Sequence, residues 1–336
     1  MQAAMKAFII DRYGPDTVRL ADMPMPQPGD NDVLVQIHAA SVNPVDFKIR
    51  DGKLKLVLRY RLPIILGSDL AGVVVEVGDS VRGFKVGDEV YARVDKDRIG
   101  TFAEFIAVRE ESVALKPDSL SMEEAASIPL VALTAWQALI DRGGLKAGQK
   151  VLIHAGSGGV GTMAIQLAKH LGAFVATTTS TTNVQWVTKL GADVVVDYKT
   201  QDYATLLKDY DLVLDTLGGS VTEASLPVLK PGGKLISISG PPDREFAMEM
   251  GLGWPMQQVM RLLSYRVRKR ARQLGVSYSF LFMRPSGDQL RSIGALIDKG
   301  VMRPVVDRVF PFDSTIEALA YVERGRAKGK VVVELR

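Results

Sequence analysis

The stretch Val151-Leu-Ile-His-Ala-Gly156-Ser157-Gly158-Gly159-Val160-Gly161 decides how the rest of the chain is read. Val151–Ala155 is a short apolar run of strand type, and Val160–Leu171 carries an apolar stripe of helical period. Between them Gly156, Gly158 and Gly161 fit the spacing G-x-G-x-x-G. The spacing answers three physical demands: a tight turn tolerant of positive φ, close backbone approach to a pyrophosphate, and a helix pressed on its strand. The helix start then turns free N–H groups and a positive dipole end toward the phosphates. Gly156, Ser157, Gly158, Gly159, Val160 and Gly161 are therefore read as a dinucleotide-binding loop, with a purely structural glycine turn as the alternative.

Outward from that loop, short apolar runs alternate with helical stretches. Phe174–Thr178, Asp193–Asp197, Leu212–Asp215, Lys234–Ser239 and Ser277–Met283 read as strands; Thr182–Leu190, Tyr203–Asp209 and Val221–Leu229 read as helices. The alternation predicts a doubly wound parallel sheet. Such a sheet selects NAD with an acidic residue about 20 residues beyond the loop. Here Ala176-Thr-Thr-Thr-Ser-Thr-Thr-Asn183 stands there, and no acidic residue occurs between Asp141 and Asp193. Hydroxyls and amides can donate to a phosphate that a carboxylate would repel. Ser180 and Asn183 are the candidates for the 2′-phosphate of NADPH, with Tyr198 covering the same end; a polar loop tolerating either cofactor is the alternative.

Toward the N-terminus the texture changes. Met5–Asp11, Asp32–Ala40, Ala71–Val77 and Glu89–Val94 are closely spaced strands with polar turns, which suggests a small barrel. Met122–Asp141 is helical, opened by Ser121 with Glu123 and Glu124. Gly251–Arg272 reads as one amphipathic, basic helix, and the tail as Gly287–Lys299 helix, Pro304–Phe310 strand, Ser314–Arg324 helix and Lys330–Leu335 strand.

Composition narrows the classes. At 336 residues and 47% hydrophobic the chain is long enough for two cores. A formal net charge of +4 is too small an excess to argue for nucleic acid, though it suits an anionic cofactor. With no cysteine, disulfides, thiolate ligands and a cysteine nucleophile are excluded. No apolar run approaches the roughly 20 residues of a membrane span. The first residues lack a secretory or transit pattern, and the expectation is a cytoplasmic protein.

Nearly end to end, the chain resembles the medium-chain dehydrogenase/reductase superfamily, nearest its zinc-independent quinone oxidoreductase branch. The resemblance is carried by Ser41-Val-Asn43-Pro44-Val-Asp46-Phe-Lys48, Leu66-Gly67-Ser68-Asp69-Leu-Ala-Gly72, Gly83-Phe-Lys-Val-Gly87-Asp88-Glu-Val-Tyr91, Gly100-Thr-Phe-Ala-Glu104-Phe, Leu133-Thr134-Ala135 and Gly329-Lys330-Val-Val-Val. It implies an α/β protein with a GroES-like β-barrel domain over residues 1–124 with 284–336. A Rossmann NADP-binding domain would occupy 125–283, with the reaction in the cleft between the two. It also implies a homodimer, formed by edge-to-edge extension of the Rossmann sheet, for which Ser277–Met283 is well placed.

The metal-dependent relatives use a Cys, a Gly-His-Glu motif and a cysteine-rich loop. Gly67-Ser68-Asp69 stands in the motif's place, and His38, His154 and His170 lie at no ligand spacing, so no metal is expected. Without zinc to stabilise an alkoxide, the accessible acceptors are those that delocalise charge. The resemblance therefore implies NADPH-dependent hydride transfer to a small conjugated carbonyl, a quinone or an enone. Alternatives are a broad-range aldehyde or ketone reductase, and an NADPH-binding structural or sensor protein.

By position, the resemblance assigns Asn43 as an amide donor to the carbonyl, Lys48 as a contact to cofactor or reduced oxygen, and Thr134 as a neighbour of the nicotinamide. For Asn43-Pro44 the alternative is a turn, for Asp46 with Lys48 a solvated pair, and for Thr134 a buried helix hydroxyl. Leu217, Gly218, Ser239 and Gly240 would line the cofactor at strand ends, and Phe282 would present backbone to the carboxamide. Arg326 or Lys330 would reach the cofactor phosphates. The basic segment 251–272 is either a membrane-surface helix or lid, or a surface helix packed on the core; membrane association is the less favoured.

Overall fold

In the computed structural model, which describes residues 4–336, the strands Lys150–Ile153, Phe174–Thr179, Val194–Asp197, Tyr210–Asp215, Leu229–Ser237 and Ser277–Phe280 form one six-stranded sheet whose pairs are all parallel. Counted within the sheet, their order is 3-2-1-4-5-6, the doubly wound topology expected from the alternation. The strands form because their Val, Leu and Ile runs are covered on both faces: Val151, Leu152, Ile153, Val213, Leu214 and Leu235 are fully buried. Removing such side chains from water stabilises the unit by roughly 1.5–3 kcal/mol each. The strand order reverses beside Lys150–Ile153, the strand that feeds the glycine loop, so the crevice at the strand ends lies over that loop. Ser277–Phe280 is the last strand of the sheet, and its outer edge has no strand partner among the described residues.

The chain divides into two compact units, one of Met1–Leu133 with Arg284–Arg336 and the other of Thr134–Met283. The division falls inside the helix Pro129–Trp136, later than the seam expected at residue 124. In the discontinuous unit, seven strands centre on Asp32–Val42, which pairs antiparallel with Asp69–Val77, Phe105–Arg109 and the C-terminal Lys330–Glu334. The register Val331↔Val42 and Val332↔Ser41 brings the tail beside a loop almost three hundred positions earlier. A three-stranded sheet of Val18–Pro24, Ala4–Ile10 and Ile64–Ile65 packs Met5, Ala7 and Ile9 around Ala103. Strands at 18–24, 105–109 and 113–115, unexpected from the sequence, complete this β unit.

Several expected helices are broken or shortened: Val221–Leu229 becomes Ser220–Ser225 and a 3-10 turn over Leu226–Val228, and Tyr203–Asp209 ends at Leu206. Met122–Asp141 becomes Met122–Ala126 and Pro129–Trp136, then widens into a π-helical turn over Gln137–Arg142. Pro129 has no N–H for a continuing helix, which sets the break ahead of it. The basic segment divides at the buried Ser264 into Trp254–Leu263 and Tyr265–Gln273. The Ser264 hydroxyl donates back to the Met260 carbonyl at 3.0 Å, a local bond that competes with the helical ladder. Its apolar residues do not form one core-facing stripe: Met260 and Val267 are buried, whereas Val259, Leu262 and Leu263 are exposed. Among the described residues no helix is long and apolar enough to cross a membrane.

Candidate functional site

The phosphate loop meets the steric demands of its spacing with one change of role. A Cβ on Gly156 would lie 2.3 Å from the Thr177 Oγ1, and one on Gly161 only 2.2 Å from the Ala155 carbonyl oxygen. Gly161 thus lets the helix Gly159–His170 press on its strand, while a Cβ at Gly158 would meet only the Ala155 oxygen at 3.3 Å. The positive φ belongs to none of them. It sits at Ala155, φ 52°, so the glycines serve close approach rather than the turn angle. Ser157, Gly158, Gly159 and Val160 are half-buried at the helix start, where the first amides have no intrahelical acceptor. The twelve-residue helix aims its positive end at this loop. These residues fit a dinucleotide diphosphate.

His154, beneath the loop, is structural: its ring nitrogens lie 3.2 Å from the Thr178 Oγ1 and 2.8 Å from the Ser225 Oγ. Burial pushes its pKa down to about 4, with the Asp215 charge acting in the opposite direction.

At the far end of the loop side, Ser180 follows its strand and accepts from the Asn183 side-chain amide at 3.1 Å. Trp186 Nε1 donates to the Asn183 Oδ1 at 2.9 Å and fixes the amide's orientation. Tyr198 is brought alongside by its N–H bond to the Thr179 carbonyl, and the Lys199 ammonium lies 5.3 Å from its ring centroid. Lys199, just past an apolar strand, places an ammonium at this end that the sequence reading misses. Asp197 is nearby, but its carboxylate accepts from Thr181 Oγ1 and the Lys199 N–H, which hold it below the usual range.

The strand-end residues converge on a group not anticipated. The buried Asp215 carboxylate accepts from the backbone N–H of Leu217 and Gly218 at 3.0 and 2.9 Å, and from the Thr222 and Ser237 hydroxyls at 2.6 and 2.8 Å. Ser237 Oγ in turn accepts from the Gly240 N–H at 2.7 Å, and Ser239 donates to the Thr216 carbonyl. One carboxylate thus shapes both turns, those at Leu217–Gly218 and at Ser239–Gly240. Phe282 is half-buried against Phe246, ring centroids 5.7 Å apart.

In the β unit the expected catalytic loop is closed on itself. Asn43 is buried ahead of the helix Pro44–Arg50, and its side-chain amide donates to the Asp69 Oδ2 at 2.9 Å and the Ser41 carbonyl at 3.3 Å. Both N–H groups of the amide are thereby taken, which speaks against the expected donation to a substrate carbonyl. Asp46 is fully buried and accepts from the Asn43 N–H at 2.7 Å, which excludes a solvated pair with Lys48.

Lys330 is corrected as well. The strand pairing buries it, and its ammonium donates to the Val42 carbonyl and the Asn43 Oδ1, 3.6 Å from the Asp69 carboxylate. It is therefore unavailable to cofactor phosphates. Burial raises both carboxyls and lowers the lysine, while the opposite charges pull each back. Asp69 also accepts from the Ser41 hydroxyl and the Leu130 N–H. Buried Arg93 supplies a second positive charge facing Asp69 and Asp46. With Asn43 and Asp69 bonded in this way, the Ser68 hydroxyl 3.5 Å from the Asp46 Oδ1, and no thiolate in the chain, the residues present do not fit a catalytic zinc.

Lys48 remains: it is half-buried, no ion-pair partner is found for it among the described residues, and burial followed by the neighbouring Lys53 charge lowers its pKa. Thr134 is a buried helix residue, and Arg326 is exposed in the turn before the last strand.

A family model described as the alcohol dehydrogenase GroES-like domain matches residues 29–118, and one described as zinc-binding dehydrogenase matches 190–333. The mitochondrial NAD(P)H oxidoreductase RTN4IP1 of Danio rerio is 38% identical over 99% of this chain and 92% of its own length. The chloroplastic NADPH-dependent alkenal/one oxidoreductase of Arabidopsis thaliana is 35% identical over 98% of this chain and 79% of its own. A solved quinone oxidoreductase from Coxiella burnetii superposes with a TM-score of 0.87 at 32% identity, covering 99% and 100% of the two chains. Mitochondrial and chloroplastic relatives overturn the cytoplasmic expectation, which rested on the look of the first residues and on composition.

Proposed function

This chain belongs to the medium-chain dehydrogenase/reductase superfamily, and from that premise we propose that it reduces a quinone or an α,β-unsaturated carbonyl with NADPH, without zinc. One observation carries the reading. The place where metal-dependent members keep their ligands is filled by a buried network in which Asn43 bonds Asp69 and Lys330, with the Ser68 hydroxyl 3.5 Å from the Asp46 Oδ1. That network leaves no ligand set for a metal that would stabilise a saturated alkoxide, which favours an acceptor that spreads the negative charge itself.

The loop Gly156–Gly161 would hold the diphosphate, and the turns shaped by Asp215 would line the rest of the dinucleotide. Ser180, Asn183, Tyr198 and Lys199 favour a 2′-phosphate, hence NADPH over NADH. When bound, the reduced nicotinamide supplies the hydride. Lys48, whose burial favours release of its proton, is the candidate to meet the developing oxyanion of the substrate. The free sheet edge at Ser277–Phe280 supports a homodimer.

A panel of acceptors tests the proposal. NADPH oxidation should occur with a quinone and an enone and stay at background with a saturated ketone. Equal rates with the saturated ketone would move the protein to a broad-range carbonyl reductase. NADPH binding with no turnover on any acceptor would leave it a binding protein.

A further inference from the structure

The helix Trp254–Leu263 keeps its larger apolar face outward. Met260 is its buried residue, whereas Trp254 is 69% exposed, Val259 48%, Leu262 75% and Leu263 56%. At about 100° per residue, these four span one half of the helical wheel, with Gln258 between Trp254 and Leu262, and form a largely apolar outward face. A monomer rarely leaves such a face to water without a use for it.

Immediately after it, Tyr265–Gln273 buries Val267 and Ala271 and exposes Arg266, Lys269, Arg270 and Arg272. No acidic residue occurs between Glu249 and Asp288. Glu223 and Glu245, from neighbouring helices, pair with Arg266 and Arg268. The ammonium of Lys269 sits 6.0 Å from the Tyr265 ring centroid, and for Arg270 and Arg272 no ion-pair partner is found among the described residues. An apolar stripe thus adjoins a cluster of largely uncompensated cations.

We propose that these two consecutive helices are a peripheral docking surface for an anionic lipid bilayer. Trp254, Val259, Leu262 and Leu263 enter the headgroup–acyl boundary, and Arg261, Lys269, Arg270 and Arg272 meet lipid phosphates. Exposed leucines side by side with arginines, and an aromatic at each end of the stripe, are what an interfacial helix requires. A second copy of the chain fits less well. An isologous contact through this face would bring two cationic helices toward each other with no acidic strip to receive them. A nucleic acid would use the cations but leave Leu262 and Leu263 in water. The surface lies wholly in the nucleotide-binding unit, and docking through it does not depend on the proposed reaction.

Flotation of the full chain tests this, using vesicles of phosphatidylcholine alone and of an equal mixture with phosphatidylglycerol. The protein should float with the mixed vesicles at low salt, far less with phosphatidylcholine, and lose most of its binding at high salt. The exposed pair Leu262→Gln with Leu263→Gln should lower the partition coefficient about tenfold or more. The pair Arg270→Gln with Arg272→Gln should lower it about tenfold, from the loss of two surface charges. Both variants should keep the parent's unfolding midpoint, which separates lost docking from lost folding. No flotation of the parent at low salt overturns the proposal, as does unaltered flotation of both variants. A dimer that dissociates with the leucine pair while the parent ignores vesicles would assign the face to self-association instead.

Discussion

Around Gly156–Gly161 the chain has removed every side chain that would crowd its backbone; around Asp46, Asp69 and Lys330 it has packed charged side chains where water is excluded. In the first region Gly156 and Gly158 bond their N–H groups to Thr178 and Ala155, and the helix-start amides that follow have no intrahelical acceptor to compete with an incoming anion. In the second, the charges answer one another, and Asn43 is bonded on both the donor and acceptor sides of its amide. A ligand site and a structural site are thus told apart by where their polar groups already point. The motif resemblance treats both regions alike; hydrogen bonding separates them.

That contrast can be broken most forcefully at Lys330. Lys330→Met keeps the volume and removes the charge, leaving two buried carboxylates with Arg93 alone. Stability should fall by about 3–5 kcal/mol in denaturant unfolding, because a buried charge pair is lost on one side only. A loss below about 1 kcal/mol would mean the network is looser than the bonds imply.

Next is the pH response of the glycine-loop region. His154 is neutral in the fold, its pKa lowered from the ordinary value near 6.5 to about 4. The unfolded chain therefore binds the extra proton first. This contribution is complete above pH ~6.5 and is lost as pH falls toward ~4, up to about 3 kcal/mol in all. His154→Gln should flatten that stretch of the stability–pH curve; an unchanged slope would place the titrating group elsewhere.

Within the loop, Gly161→Ala should weaken NADPH binding by roughly a hundredfold, since its Cβ meets backbone at 2.2 Å and the helix must retreat. Gly158→Ala meets only one oxygen at 3.3 Å, so the fold should keep its melting temperature while the diphosphate contact suffers. Calorimetric melting and NADPH titration of the two variants distinguish a packing glycine from an approach glycine.

Lys48→Met should lower kcat by about ten- to a hundredfold. In the parent, activity that needs the protonated amine should decline as pH rises through a pKa below the ordinary lysine value of 10.5. Survival of that alkaline limb in Lys48→Met would remove it from the reaction. Smallest of all, Lys199→Ala should raise the NADPH KM about fivefold and leave that of NADH unchanged, the effect of one exposed charge on the 2′-phosphate.

The Rossmann unit is legible in the sequence because its information is local. The strands Lys150–Ile153, Val194–Asp197 and Tyr210–Asp215 carry short Val/Ile/Leu runs, and Gly161 must be small for a reason that lies close by in the chain, at Ala155. The β unit hides its central feature because Lys330 reaches Asn43 through strand pairing across nearly the whole chain. Spacing carries no trace of such a contact, and a lysine near the tail reads just as well as a phosphate ligand. Asp215 escapes sequence reading for a related reason: Leu217 and Gly218 mark the right turn, but the carboxylate holding their N–H groups belongs to the strand before it. The break at Ser264 leaves no sequence signal because the apolar and basic residues on either side both suit a single helix.

The central claim is zinc-independent hydride delivery from NADPH to a conjugated acceptor. It is tested most directly by following NADPH oxidation with an enone after exhaustive chelation, then after added zinc. The account predicts the same rate before chelation, after it and after zinc. Activity abolished by chelation and restored by zinc would contradict it.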